Sequence, residues 1–248
     1  MKVKVEVCCG SAADVYEAAN AGAERVELNS ALFLGGLTPS IGEMRMARGA
    51  PVEIIAMVRP REGGFCYGDM EFETMLADAR ALLDAGADGI AFGILNADGT
   101  VDKKRCARMM EEIGGAQGVF HRAVDVTPDW RAALDVLLGL GARRVLTSGQ
   151  APSADHGAAV IRAMIDYAAG RLEILPGGGI RMRNLRDVLE KTGCDQVHVS
   201  MRKTCADISC AHRPEIHFGG ALYPPEDVYG ATDGAAVREL VGKLVNKP

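Results

Sequence analysis

The chain has 248 residues, close to the length typical of one α/β barrel and enough to bury a large core. Its formal net charge is −5 and its arginines are scattered, which argues against a nucleic-acid surface and favours a small-molecule or metal ligand. No apolar run approaches the ~20 residues of a membrane span, and no signal-peptide pattern opens the sequence, so we expect a cytoplasmic protein. The 7 cysteines include no CxxC pair, which predicts reduced thiols.

Runs rich in Val, Ile and Leu alternate with stretches of helical period, a pattern typical of βαβ units that feed a parallel sheet. The pattern predicts strands over 3–9, 25–29, 52–58, 89–93, 118–122, 144–148, 172–176 and 196–200. Helices are predicted between them, and a last helix over 233–245. We therefore predict a single (β/α)8 TIM-barrel domain over residues 1–248. An open doubly wound sheet is disfavoured, because the GxGxxG motif expected after the first strand is missing.

A glycine stands three residues before the start of every second predicted strand, and these glycines are 52 to 64 residues apart. Gly22, Gly86, Gly141 and Gly193 stand just before the strands that begin at 25, 89, 144 and 196. A glycine at this position ends a helix in the left-handed conformation, which carries no steric penalty without a Cβ. The spacing is consistent with a quarter-barrel repeat.

Alternation along the strands predicts which side chains point into the barrel. In the first strand Glu6 and Cys8 are expected inside, and in the second Arg25, Glu27 and Asn29. Later strands are expected to add Arg59, His121, Thr147 or Ser148, Gln196, His198 and Ser200. Most of these residues lie at or near the C-terminal strand ends, the usual functional face of such barrels.

Two interpretations of this polar interior remain open. In the first, Arg59, Arg61 and Arg122 neutralise Glu6, Glu27 and Asp125 in a structural ion network. In the second, the residues are catalytic, with Glu6 or Glu27 as general base, His121 as acid and Arg59 orienting a small metabolite, phosphorylated or not. Because no lysine lies at a strand end, Schiff-base chemistry is disfavoured, and proton transfer, isomerisation or lyase chemistry remains. A non-catalytic oligomeric scaffold is a further alternative.

The loops after the last two predicted strands suggest an anion site. Gly177, Gly178 and Gly179 follow the seventh strand, and Ser200 and Arg202 follow the eighth. Barrels of this kind often bind phosphate with these two loops, using backbone N–H groups and positive charge. The alternative is a tight turn that needs glycine for its geometry alone.

The cysteines offer one candidate metal ligand. Cys8 and Cys9 are adjacent and point to opposite sides of a strand, so a disulfide between them is not expected and only Cys8 lines the interior. A buried structural thiol is the alternative interpretation. A second group follows the last strand, but its spacing matches no standard zinc pattern: Cys205, Cys210, His212 and His217.

Several segments together resemble the CutC copper homeostasis family. They are Glu6-Val7-Cys8, Arg25-Val26-Glu27-Leu28, Gly35-Gly36-Leu37-Thr38-Pro39-Ser40, Met57-Val58-Arg59-Pro60-Arg61, Phe120-His121-Arg122-Ala123, Leu146-Thr147-Ser148-Gly149 and Pro176-Gly177-Gly178-Gly179-Ile180. The resemblance runs in order from residue 5 to about 202. It implies a cytoplasmic TIM barrel that self-associates as a dimer or tetramer, is linked to copper tolerance and is proposed to bind Cu(I).

The resemblance also implies a ligand set from which this chain departs. The family's copper proposal uses two cysteines, of which one matches Cys8 and the other falls where this chain has Asn29. Since Cu(I) prefers two or more sulfur ligands, Asn29 weakens the expectation of copper. Carboxylates and imidazoles such as Glu6, Glu27, His121 and His198 suit a harder divalent metal, or none.

Overall fold

A computed structural model describes residues 3–219 and 228–245. Its main feature is an eight-stranded parallel sheet with the order β7-β6-β5-β4-β3-β2-β1-β8. The strands are β1 Lys4–Cys9, β2 Arg25–Leu28, β3 Glu53–Met57, β4 Gly89–Phe92, β5 Gln117–Phe120, β6 Arg144–Thr147, β7 Glu173–Pro176 and β8 Gln196–Val199. The predicted TIM-barrel fold is confirmed. Most predicted strands run one or two residues past the observed end, where residues such as Asn29, His121 and Ser148 leave the ladder to begin a loop.

Helices follow the strands and form the outer layer. They are α1 Ala12–Asn20, α2 Ile41–Ala47, α3 Asp69–Asp84, α4 Lys103–Ile113, α5 Trp130–Gly139, α6 Ala158–Ala168, α7 Leu185–Thr192 and α8 Gly234–Val245. Polar side chains begin several of them: Ser11 accepts from the N–H of Asp14 at 3.1 Å, and Asp233 from those of Ala235 and Ala236 at 3.1 Å. These contacts satisfy helix N–H groups that have no partner within the helix.

The core has two parts, separated by the wall of the barrel. Val5, Val7 and Cys9 of β1 belong to the large apolar layer between sheet and helices. A smaller apolar cluster fills part of the interior: Ile55, Met57, Ala91 and Val119. These residues come from β3, β4 and β5, so the interior is apolar next to those three strands. The polar interior residues lie next to β1, β2 and β8.

The barrel closes where β7 meets β8, the two ends of the strand order. Gly177 follows β7 at this seam. A Cβ at Gly177 would lie 2.5 Å from Leu146 Cδ1 and 3.1 Å from His198 Cβ. Glycine is therefore needed here to let the backbone approach its neighbours closely.

The segment after β8 contains a strand pair that the sequence pattern did not predict. β9 Arg202–Ala206 pairs antiparallel with β10 Val228–Thr232 outside the barrel sheet, and the chain then enters α8. In the part of the chain that is described, no helix is both long and apolar enough to cross a membrane.

Candidate functional site

The polar side of the barrel interior forms around Glu6. Parallel pairing sets Glu6 opposite Arg25 on one side and His198 on the other, and sets Cys8 opposite Glu27. Because side chains alternate along each strand, residues in register share a face of the sheet. The structure thus places Glu6, Cys8, Arg25, Glu27 and His198 together inside the barrel.

Glu6 is held by two cationic neighbours. Its Oε2 pairs with Arg25 Nε, and its Oε1 lies 2.7 Å from His198 Nδ1. Arg25 also donates from Nη2 to Gln196 Oε1 at 2.8 Å. The exposed fractions of Arg25 and Glu6 are 0% and 2%, so this ion pair is fully buried.

The electrostatics of the cluster follow from these contacts. Burial by itself would raise the pKa of Glu6, but the hydrogen bond with His198 and the charge of Arg25 lower it to about 2. Burial would lower the pKa of His198, but its hydrogen bonds with Cys8 and Glu6 and the negative charges nearby raise it well above its usual value. At neutral pH the pair is therefore a carboxylate and an imidazolium.

The predicted partners of the carboxylates were wrong in part. Arg122 does pair with Asp125, at 2.9 Å between Nε and Oδ2. The partner of Glu6, however, is Arg25, and Arg61 pairs with Glu71 at 2.5 Å. The reason is register: Arg25 lies directly beside Glu6 on the neighbouring strand, whereas Arg61 belongs to a loop outside the barrel.

Cys8, Glu27 and His198 form a cluster with the composition of a metal site. One ligand atom from each lies within 4.8 Å of the others. Glu27 is 4% exposed, and burial raises its pKa and that of the Cys8 thiol. Asn29 borders the cluster, donating from Nδ2 to Glu27 Oε2 at 3.0 Å and to Cys8 Sγ at 3.6 Å.

Arg59 joins two loops at the mouth of the barrel. Its Nη1 donates to the carbonyls of Leu34 and Gly36 at 3.0 and 3.2 Å, and its Nη2 to that of Gly63 at 2.8 Å. The guanidinium also lies over the ring of Phe65, 5.3 Å from its centroid. The predicted role of orienting a substrate would therefore fall to the donors that remain, the Nε–H and the second Nη2 hydrogen.

His121 lies just beyond β5, beside Phe65. Its Nδ1 accepts from the backbone N–H of Ala123 at 3.1 Å, where a short 310 helix over Arg122–Val126 begins. Burial and the charge of Arg59 lower its pKa to about 3. His121 is therefore neutral near pH 7, and as a proton donor it would have to act from the neutral ring.

These residues surround a cavity of about 360 Å³ at the C-terminal end of the barrel. Polar and charged groups line it, accompanied by a smaller number of apolar side chains: Cys8, Glu27, Arg59, His121, Arg122, Asp125 and His198, with Leu34, Met57, Phe65, Val126 and Leu146. Its volume lies at the lower end of the range for small-molecule sites. The cavity can therefore hold a metal ion, a small metabolite or both.

The structure does not bring the predicted anion-binding residues together. Gly178 borders Arg122 and Ser148, since a Cβ there would lie 3.3 Å from side-chain atoms of each. Arg202 instead pairs with Asp14 at 3.3 Å and donates to the carbonyl of Gly230. Ser200 follows β8 and is half-buried. An anion site that includes Gly177 to Gly179 remains a prediction, and Arg202 is directed to α1 and β10.

The cysteines and histidines after β8 do not form a metal cluster within the described residues. Cys205 lies opposite Tyr229 in the β9–β10 pair, and Cys210 ends a short 310 helix. Among all the described residues, the one group of three or more metal-ligating side chains is Cys8, Glu27 and His198. The sequence pattern places Glu27 and His198 among the side chains that suit a divalent metal, but the contact of His198 with this cluster follows from barrel closure between β8 and β1.

Comparison with known proteins shows the family. The CutC family profile matches residues 3–203. The chain belongs to the CutC family. A CutC-family protein of Treponema denticola is 50% identical over 226 residues, covering 91% of this chain and 92% of that protein. A human protein named copper homeostasis protein cutC homolog is 40% identical over 237 residues, covering 95% and 87% of the two chains.

Solved structures agree with this membership. The crystal structure of CutC from Streptococcus agalactiae superposes with a TM-score of 0.76 at 31% identity, covering 79% of this chain and 97% of that chain. Phosphoribosylanthranilate isomerase from Thermotoga maritima superposes with a TM-score of 0.57 at 14% identity. The second likeness shows the barrel fold alone.

Proposed function

We propose that this chain binds a transition-metal ion with Cys8, Glu27 and His198 and that it takes part in copper handling. The observation that carries the proposal is the convergence of a thiol, a carboxylate and an imidazole within 4.8 Å at the base of the cavity. Curated relatives in the CutC family are named copper homeostasis proteins, which favours copper as the metal.

The hydrogen bonds around His198 support a ligand role. Glu6 occupies Nδ1 of the ring, so a metal ion would bind at Nε2 in exchange for the proton that the imidazolium carries there. A carboxylate in this position fixes the orientation of a ligating imidazole and raises its basicity. Arg25 in turn fixes Glu6, so the ligand is held by a chain of buried contacts.

The donor set discriminates between oxidation states of copper. Cu(I) prefers two or more sulfur ligands, and Cys8 is the one thiol of the cluster. The amide of Asn29 lies 3.6 Å from Cys8 Sγ, where a second thiol would be needed. The site therefore fits Cu(I) poorly, and its mixture of sulfur, nitrogen and oxygen suits a divalent ion such as Cu(II) or Zn(II).

The test is metal analysis of untagged protein, followed by titration with Cu(II), Zn(II) and, under reducing conditions, Cu(I) in the presence of a competing chelator. Wild type is expected to retain a stoichiometric divalent ion. Cys8→Ala should lose it, and Cys66→Ala, which removes an exposed thiol outside the cluster, should not. Asn29→Cys is expected to make the site retain Cu(I). Equal metal retention by wild type and Cys8→Ala would contradict the proposal.

A second candidate function is acid–base catalysis on a small metabolite, and Glu27 favours it. Its carboxyl group is buried at the cavity, and burial raises its pKa toward the range useful for a general base near neutral pH. Glu6 is less suited, because its pKa of about 2 makes it a weak base.

Self-association of the barrel, as a dimer or tetramer, remains a proposal from the family resemblance.

A further inference from the structure

Two buried N–H donors at the cavity have no partner among the described residues. They are Nε2 of His121 and Nε of Arg59, although the Arg59 side chain also interacts with the hydroxyl of Tyr67. Both residues line the same cavity, and their exposed fractions are 4% and 7%. A buried donor without an acceptor costs about 1–3 kcal/mol, so each of these groups favours a ligand that supplies one.

The tautomer of His121 is fixed by its surroundings. Because Nδ1 accepts from the N–H of Ala123, the single proton of the neutral ring must lie on Nε2. Phe65 packs against the ring at 4.9 Å between centroids and restricts its rotation. His121 therefore presents a preorganised N–H donor to the cavity.

Arg59 is equally restricted. Three backbone carbonyls of the two mouth loops occupy its Nη atoms, so the guanidinium cannot turn its fork toward a ligand. The Nε–H and the second hydrogen of Nη2 remain available. His121 thus offers one N–H donor and Arg59 offers Nε–H and one Nη2 hydrogen, and the oxygens of a carboxylate can accept from both residues.

The charge of the cavity favours an anion. Arg59 and Arg122 are the guanidinium groups that line it, and Asp125 and Glu27 are its acidic side chains. Asp125 is already engaged by Arg122 and by Thr147, at 2.9 and 2.5 Å. Arg59, by contrast, donates to backbone carbonyls and pairs with no carboxylate in the described part of the chain, so its charge is left to attract an anion.

We propose that this cavity binds a small organic carboxylate whose oxygens accept hydrogen bonds from His121 Nε2 and Arg59 Nε. Met57, Phe65 and Leu146 line the same cavity and would contact the carbon skeleton. A volume of about 360 Å³ limits the ligand to a small metabolite. The proposal does not rest on the metal site, because neither donor belongs to the metal cluster.

The experiment is a calorimetric titration of chelator-treated, metal-free protein with succinate. Neutral succinamide and inorganic phosphate are the comparison probes. His121→Asn keeps an acceptor for the Ala123 N–H and removes the Nε2–H, and is expected to weaken succinate binding about tenfold or more. His156→Asn, which changes an exposed histidine outside the cavity, should bind as wild type does.

A second measurement avoids reliance on a variant that fails to fold. In the wild-type protein, the imidazole ¹⁵N resonance of His121 Nε2 should shift as succinate is added and stay unchanged with succinamide. Binding of succinate and succinamide with equal affinity, binding of phosphate alone, or no binding would each overturn the proposal. The last result would mean that water satisfies the two donors.

Discussion

At the scale of single residues, Glu6 and Arg25 form a buried ion pair in which each side chain compensates the charge of the other. Arg25 is 0% exposed, and its Nη1 has no partner among the described residues, so Glu6 and Gln196 provide its side-chain contacts. Removing one member of a buried pair leaves an uncompensated charge, which costs more than the pair itself contributes.

Glu6→Gln is therefore expected to lower the free energy of unfolding by about 3 kcal/mol. Glutamine keeps the shape and one acceptor but removes the charge that Arg25 needs. The measurement is urea denaturation of the metal-free protein. The control is Glu239→Gln, which breaks an exposed pair with Lys243 at 3.2 Å and should change stability by no more than about 0.5 kcal/mol. Similar losses in both variants would show that Arg25 does not depend on Glu6.

At the scale of elements, local patterns predicted the strands, and closure of the barrel decided the site. Alternation in β1 separates Val5 and Val7 from Glu6 and Cys8, so their opposite faces could be predicted. The contact of Glu6 with His198 spans 192 positions and depends on the register between β1 and β8, which no local pattern encodes.

The mouth of the barrel shows a second limit of local reasoning. Arg59 was expected to neutralise a carboxylate of the barrel interior, but its Nη groups donate to backbone carbonyls of two loops, and its role in orienting a substrate stays a prediction. Such acceptors are present at every residue and leave no signature in the sequence. The β9–β10 pair was missed for a related reason, because its exposed strands lack the apolar alternation that identified the barrel strands.

The helix-ending glycines were predicted from spacing, and their backbone confirms it: φ is +92° at Gly22, +100° at Gly86, +74° at Gly141 and +69° at Gly193. Gly141 isolates the conformational effect, because a Cβ there would meet no atom within 4 Å. Gly141→Ala should lower the free energy of unfolding by about 1 kcal/mol.

The matched control is Gly242→Ala in α8, where a Cβ also meets no atom within 4 Å but φ is not left-handed. Alanine should there raise the free energy of unfolding by about 1 kcal/mol, because it is the better helix former. Thermal denaturation of both variants measures the contrast. Changes of the same sign would refute the left-handed requirement at Gly141.

At the scale of the whole molecule, the barrel divides its interior between two kinds of packing. The side formed by β3, β4 and β5 is filled by Ile55, Met57, Ala91 and Val119, whereas the other side holds the ion pair and the candidate ligands. The apolar side supplies stability that is insensitive to pH. The polar side makes stability depend on protonation, and His121, at the cavity between them, contributes measurably to that dependence.

The pKa of His121 is lowered from 6.5 to about 3 by burial and by the charge of Arg59. The folded state therefore keeps the ring neutral over a pH range in which the unfolded chain takes up a proton. This contribution to stability is fully present above pH 6.5 and is lost as the pH falls toward 3. Between about pH 8 and about pH 5, the loss amounts to about 2 kcal/mol.

His198 acts in the opposite direction over the same range. Its pKa is raised in the folded protein, so the stability it contributes is present at low pH and decreases above the ordinary histidine value. The contribution of His121 must therefore be measured as the difference in unfolding free energy between wild type and His121→Asn in urea. On acidification from about pH 8 to about pH 5, wild type should lose about 2 kcal/mol relative to the variant. The packing lost with the ring is the same at every pH and cancels, so a difference that did not change with pH would show that His121 can be protonated in the folded protein.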